Sequence, residues 1–487
     1  MRDETQHQIK RSQPNLRLRL KIFVIVKLKN HMMRYEIKKV LCALVWIIIL
    51  INFSTYISCK LSFGGDPVAD DEEDTAFASD IERVSVTSVG IQANGNSEEP
   101  SISSDGFIVA FISDATNLVP GDTNDVQDVF VHDLDTGITE RVSVASAGTQ
   151  GDDDAFTLSL SSNGSFVAFG SFATNLVLGD TNDVIDVFVH DRDTGTTERV
   201  SIATVGTQAN DESFSPAISS TGRFVAFRSD ATNLVANDTN NNSDIFVRDR
   251  TLGITQRVSV ASDGTQANGD SISPAISSDG RFVAFSSEAS NLVAGDTNNK
   301  ADIFVHDRQN DTTELIIGPA EFNTGSGTII VAPAISPDGG FLGFRSNADD
   351  LVPGDTNNSF DTFLIDSDTL IAERSSVSSS EVEGNADSSR PSISSDNRFV
   401  AFASIATNLV LQDTNGSEDV FVRDRDEGRT RRVSIAFDGS EGDNNSFSAV
   451  VGGDGRFVAF TSFAANLVAN DTNGRLDIFV IPNPFSP

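Results

Sequence analysis

The chain has 487 residues, with 35 Lys plus Arg against 70 Asp plus Glu, a formal charge of −35 at pH 7. The balance is split: residues 1–60 carry 12 basic and 3 acidic side chains, residues 61–487 carry 23 and 67, and the longer part stands at −44. A surface of that sign repels nucleic acid and anionic lipid, which leaves cations, basic protein patches, peptides and neutral glycans as partners.

The basic start reads as a leader. The stretch from Val40 to Ile57 carries no charge and is preceded by Lys38-Lys39, a length compatible with a short membrane span or with the apolar region of a signal peptide. The only methionines are Met1, Met32 and Met33, so translation starting at Met32 or Met33 would leave an ordinary short leader. Ile57-Ser58-Cys59 resembles a bacterial lipobox, which implies lipidation of Cys59 after cleavage, although Tyr56 stands where Leu is usual. A cleaved lipoprotein signal and an uncleaved anchor are the two alternatives, and both put the remainder outside the cytoplasm with the positive flank inside. Residues 1–38 are thus a basic leader, 39–59 a signal peptide or anchor, 60–80 an acidic tether containing Asp70 to Asp74, and 81–487 the folded part. Cys42 and Cys59 are the only cysteines, so the folded part has neither a disulfide nor thiol chemistry.

From residue 81 the chain repeats itself. An Asp-Thr-Asn triplet begins at Asp122, Asp180, Asp238, Asp296, Asp355, Asp413 and Asp471, and these positions differ successively by 58, 58, 58, 59, 58 and 58. Equal steps mean equal units, each stacking on its neighbours to bury a face it cannot bury alone. In the fourth unit four strands are predicted: a, Pro274 to Ser277; b, Arg281 to Ser287; c, Asp302 to Asp307; and d, Glu314 to Ile317. The runs Phe282-Val283-Ala284-Phe285 and Ile303-Phe304-Val305 do not alternate with polar residues, so both faces of these strands are covered. Ser278-Asp279-Gly280 is an a–b hairpin turn, Asp193-Thr194-Gly195 is a c–d turn, and no window carries a helical stripe.

Four-stranded sheets repeated radially make an all-β, seven-bladed β-propeller. Closure of the ring is predicted from the ends. The d-strand motif appears as Glu82-Arg83-Val84-Ser85-Val86 before the first a strand, and the last unit stops after strand c near Ile481-Pro482. The leading segment is expected to pair with Asp477 to Ile481.

The segments SSDGRFVAF and DIFVHDR, followed by a tight turn, resemble the WD-like propeller repeats of the TolB family, over all seven copies in residues 81–487. The resemblance implies the fold, and for function it implies either a binding platform in the cell envelope or a gating domain of a peptidase. TolB itself is similar in its blades but has six of them and an N-terminal α/β domain, so a place beside a Pal-like lipoprotein is not implied. The peptidase relatives carry a C-terminal α/β-hydrolase domain, for which a sequence ending at Pro487 is expected to leave no room.

The hairpins a–b and c–d are tight, whereas the b–c and d–a links are long and share one face. Long loops in a compact domain are functional or internally braced. Each b–c loop carries Asp-x-Asn-x-x-x-Asp: Asp122, Asn124, Asp128; Asp180, Asn182, Asp186; Asp238, Asn240, Asp244; Asp296, Asn298, Asp302; Asp355, Asn357, Asp361; Asp413, Asn415, Asp419; Asp471, Asn473, Asp477. Oxygen ligands at positions 1, 3 and 7 of a loop suit a hard cation, so these residues are candidate Ca²⁺ ligands. The competing reading is metal-free bracing by Asx turns, since no bidentate Glu follows at position 12. Ala-Thr-Asn-Leu-Val, as at Ala115 to Val119, reads as packing. Gly-x-Gln-Ala-Asn at Gly90, Gly206 and Gly264 reads as exposed turns, and Glu321 to Gly325 is the loop that departs most.

His132, His190 and His306 share one position of strand c with Arg248 and Arg423, which marks them as blade-edge residues rather than bases or ligands. The a strands offer Ser, Ala, Pro and Ile to a central channel. With no catalytic constellation visible, the expected function is a non-enzymatic, membrane-tethered, extracytoplasmic binding module of a bacterial envelope, monomeric, using the long-loop face for a protein, peptide or glycan. The alternative is a secreted enzyme of the lyase or glycosidase type acting on a polysaccharide.

Overall fold

The computed structural model describes residues 80–298, 300–317 and 329–486. The leader, the candidate span, Cys59, the tether to residue 79 and the loop from Glu321 to Gly325 lie outside these residues. Within them the chain forms strands and turns and no helix.

Seven antiparallel sheets of four strands follow one another, each ordered a-b-c-d. In blade four these are Ser271–Ile276, Phe282–Ser287, Asp302–Asp307 and Thr312–Ile317. Strands b and c match the sequence reading closely, but strand a begins at Ser271 instead of Pro274. The reason is a bulge: register slips between Ile272 and Ala275, and Ser273 takes a left-handed φ of 53°. Glu99, Thr157, Ser215 and Ser448 repeat that conformation in other a strands. A bulge hides the period-2 signal by which a strand is recognised. The single longer step of the repeat, from Asp296 to Asp355, has its cause here too, because Ile329–Ile335 of blade five is one residue longer, with the slip between Ile330 and Ala334.

The ring closes as expected. Glu82 pairs with Val480 and Arg83 with Phe479, and Val84 N donates to Ile478 O at 2.7 Å. The leading motif is not one straight strand, however, since Val86 turns away to bridge Gln92. The seventh sheet therefore consists of Ser446–Val451, Phe457–Ser462, Asp477–Pro482 and Glu82–Arg83.

The core lies between blades. Strands b and c of each blade set one phenylalanine opposite another, as Phe285 and Phe304, whose rings stack 5.9 Å apart, and Phe344 and Phe363 at 5.6 Å. Val, Ala and Ile on the other positions of these strands interdigitate with the next blade: Val187, Val189 and Val200 of blade two pack on Val225, Phe227 and Phe246 of blade three. Offset-stacked aromatic pairs add about 0.5–1.5 kcal/mol to the burial itself. The turn glycines complete this contact. A Cβ on Gly280, at φ +74°, would fall 2.1 Å from a ring carbon of Phe224 in the preceding blade. Glycine is required there both for the left-handed turn and for the close approach.

Candidate functional site

The b–c loop delivers its two aspartates to the end of strand d. In blade one Arg141, on strand d, places Nη1 2.9 Å from Asp122 Oδ1 and 2.8 Å from Asp128 Oδ2. Asn124 turns its amide nitrogen, not its oxygen, to Asp128, donating to Oδ2 at 3.0 Å and to Gly151 O at 3.0 Å. Ser143 Oγ donates to the other oxygen of Asp128 at 2.5 Å. Five further blades repeat the arrangement. Arg199 joins Asp180 and Asp186, and Arg257 joins Asp238 and Asp244. Arg374 joins Asp355 and Asp361, Arg432 joins Asp413 and Asp419, and Arg83 joins Asp471 and Asp477, over distances of 3.0–3.5 Å. Asn182, Asn240, Asn357, Asn415 and Asn473 each donate to the second aspartate of their own loop.

In these six blades a guanidinium stands where a cation between the two carboxylates would stand. The residues do not fit a Ca²⁺ ion there, because the Arg already supplies the positive charge between the two carboxylates. The sites are braces that lock the b–c loop to strand d. Burial dominates their electrostatics all the same: Asp355 and Asp413 are both pushed up to about 6 by desolvation, against the pull of Arg374 and Arg432. The d-strand arginine was the partner that the loop motif alone could not reveal. Its signal was present in strand d, as Glu140-Arg141-Val142-Ser143 in blade one. Blade four breaks the pattern, with Leu315 opposite Phe304 where the others place Arg.

The amides of the d–a loops are spent on the neighbouring b–c loops. Asn94 Nδ2 donates to Thr116 Oγ1 at 3.0 Å, Asn117 Nδ2 to Gln92 O at 2.9 Å, and Gln92 Nε2 reaches Thr472 Oγ1 at 3.0 Å. Leu118 is buried as expected of packing. The three histidines are not at an exposed edge. His132, His190 and His306 are buried, their ring nitrogens 2.8–2.9 Å from the hydroxyls of Thr139, Thr197 and Thr313, and burial lowers their basicity. Arg248 and Arg423 bond the corresponding threonines, so the position links strands c and d.

A second constellation surrounds the axis on the long-loop face. Strand a starts and strand b ends at that face, as the pairs Ser97 with Ser113 and Ser271 with Ser287 show. There the repeat loses its uniformity. The second residue of strand a is Glu98, Phe156, Phe214, Ile272 or Phe447, and the bulge residue is Glu99, Thr157, Ser215, Ser273 or Ser448. The facing residue of strand b is Ile112, Gly170, Arg228, Arg345 or Thr461. These side chains interact locally. Gln127 Nε2 donates to Glu98 Oε1 at 3.0 Å. Arg228 lies 4.4 Å over the Phe214 ring and bonds Ser243 at 2.8 Å. Arg345 lies 4.3 Å over Phe360 and pairs with Asp387 at 3.3 Å. Phe156 meets the partly exposed Phe172 at 5.5 Å, and Phe447 meets Phe463 at 6.2 Å. Glu99 is pushed up by burial and by Glu98, with Arg390 pulling it down. The a strands are thus more polar and more varied than their Ser, Ala, Pro and Ile content promised.

Fold and loops together define a seven-bladed β-propeller with one elaborated face. A solved structure shares its architecture. An oligogalacturonate lyase from Vibrio parahaemolyticus matches over 84% of this chain and 98% of its own, at 12% identity and a TM-score of 0.50. TolB from Acinetobacter baumannii matches over 81% of each chain at 13% identity and a TM-score of 0.36, and an oligogalacturonate lyase in complex with manganese matches over 84% and 96% at 13% and 0.49. No family model and no curated protein matches the chain. Among the described residues no helix is long and apolar enough to cross a membrane.

Proposed function

We propose that this chain is a non-enzymatic, extracytoplasmic binding module that takes a peptide or glycan on the long-loop face of its propeller. One observation carries this reading: at the long-loop end of strand a the residues differ from blade to blade, while the strand cores and six of the seven braces repeat. A structural role needs the same residue in each blade. A ligand of lower symmetry needs different ones, and here it meets phenylalanine edges in blades two and seven, arginine over phenylalanine in blades three and five, and Glu98-Glu99 in blade one. Aromatic anchors beside charged groups are the composition of recognition surfaces. The −44 charge of residues 61–487 favours a neutral or basic partner. The leader supports an envelope location, with Cys59 as the lipidated residue or residues 39–59 as an uncleaved anchor.

The test is binding of the purified propeller to peptide and glycan arrays and to envelope extract, comparing wild type with Phe156→Ala/Phe172→Ala and with Arg228→Ala. Retained ligand that both variants release by tenfold or more supports the reading. Cleavage of a polyuronide, seen as ultraviolet absorbance of an unsaturated product, would replace it with the lyase alternative. Mass spectrometry of the membrane fraction checks the anchor, with a diacylated N-terminal Cys59 expected.

A further inference from the structure

Blade four has lost its brace on two counts. Leu315 replaces the arginine, and Ile317 replaces the serine that elsewhere bonds the second aspartate, in the strand Thr312–Ile317. The two aspartates nevertheless remain, and they remain buried: Asp296 is 8% exposed and Asp302 is 1% exposed. Asn298 Nδ2 still donates to Asp302 Oδ1 at 2.9 Å. Among the described residues, Asp296 Oδ1 and Asp302 Oδ2 are buried and have no hydrogen-bond donor. In the six braced blades the corresponding first-aspartate oxygen lies 2.9–3.4 Å from a guanidinium nitrogen.

We propose that the Asp296–Asp302 pair of blade four is a single hard-cation site, of the kind that takes Ca²⁺, in which a bound ion does the work of the missing arginine. Two buried carboxylates with no guanidinium between them are costly to keep ionised unless a cation joins them. Oxygen donors select a hard ion, and an ion such as Ca²⁺ completes its shell with carbonyls and water. No cluster of three or more His, Cys, Asp or Glu among the described residues is set for a metal, so this site has two carboxylates only. A modest affinity follows. Leu315 and Ile317 put apolar side chains at the strand-d positions where the braced blades have Arg and Ser, and a less polar setting strengthens the attraction for an ion. The site lies at strand d and is separate from the axial face, so it goes beyond the binding role proposed above and stands whether or not that role does.

The experiment is calorimetric titration of CaCl₂ into the chelator-stripped propeller, with a melting scan at each end point. Wild type is expected to bind one ion per chain, not seven, and to melt several degrees higher with it. Asp302→Asn is expected to bind none. Leu315→Arg rebuilds the brace: it should bind none and melt higher than metal-free wild type. Absence of binding by wild type would overturn the site, as would an undiminished stoichiometry in both variants, which puts the ion elsewhere. A melt that responds to pH alone and not to Ca²⁺ overturns it too, because a shared proton then neutralises the pair. If Leu315→Arg does not fold, the isosteric Asp302→Asn decides.

Discussion

Asp307 shows how one side chain holds a turn. Its two oxygens accept Arg281 Nε at 3.0 Å and Nη2 at 2.6 Å, and Gln309 N donates to Oδ1 at 2.9 Å. The bidentate guanidinium ties the start of strand b to the end of strand c and, as the largest influence, holds the carboxyl at about 2. A carboxyl depressed in the fold stabilises it above its ordinary value near 3.8, and that contribution is lost as pH falls from about 4 to about 2. Asp307→Asn should therefore cost about 1–2 kcal/mol at pH 7, part of the full linkage value being screened because Arg281 is partly exposed. Urea unfolding at pH 7 and pH 2.5 checks this, and the gap between the two proteins should narrow at the lower pH. Equal destabilisation at both would show that packing, not charge, is what the carboxylate provides.

The element that repeats is the loop-to-strand brace, and its energetics are those of a buried ion pair. Removing one partner strands the other. Arg257→Leu, which copies blade four, leaves Asp238 and Asp244 with Asn240 and Ser259 only, and is expected to cost about 3–5 kcal/mol in denaturant unfolding. A loss below about 1 kcal/mol would mean that the loop holds itself through its Asx turn and amide bonds. The same variant in Ca²⁺ should recover part of the loss, since it recreates the pair that blade four carries. The bulge in strand a is the other recurrent device. Its left-handed residue is Glu99, Thr157, Ser215, Ser273 or Ser448 in five of the blades, so the position tolerates different chemistry on one backbone conformation.

Over the whole molecule, stability depends on closure, because a ring opened at one blade leaves two sheets' faces bare. Only two residues, Glu82 and Arg83, form the regular ladder with strand c of the last blade, but Val84 packs into the blade-one core with Val109, Phe111 and Ile478, and Ser85 bonds Asp477. Deleting residues 81–87 removes strand, brace and packing together. The melting temperature should fall by about 5–10 °C, and the variant should become susceptible to proteolysis within the last blade. An unchanged melt would mean that the seventh sheet holds with three strands.

What the sequence determined by itself was whatever repeats. The constant step between copies, the Val-Ala-Phe runs and the turn glycines specify seven four-stranded blades, and the motif at Glu82 specifies how they close, because hydrophobic period and turn chemistry are local properties. The aspartate loops were equally visible, but their meaning was not: Asp122 and Arg141 lie on either side of strand c in the chain, and only packing brings the guanidinium between Asp122 and Asp128. The tertiary structure also decided that Leu315 stands opposite Phe304 where other blades place Arg, and that Glu98, Phe156 and Arg228 lie at one end of the sheets. Each of those depends on which strands lie side by side, a matter of long-range pairing and burial that no window of residues contains.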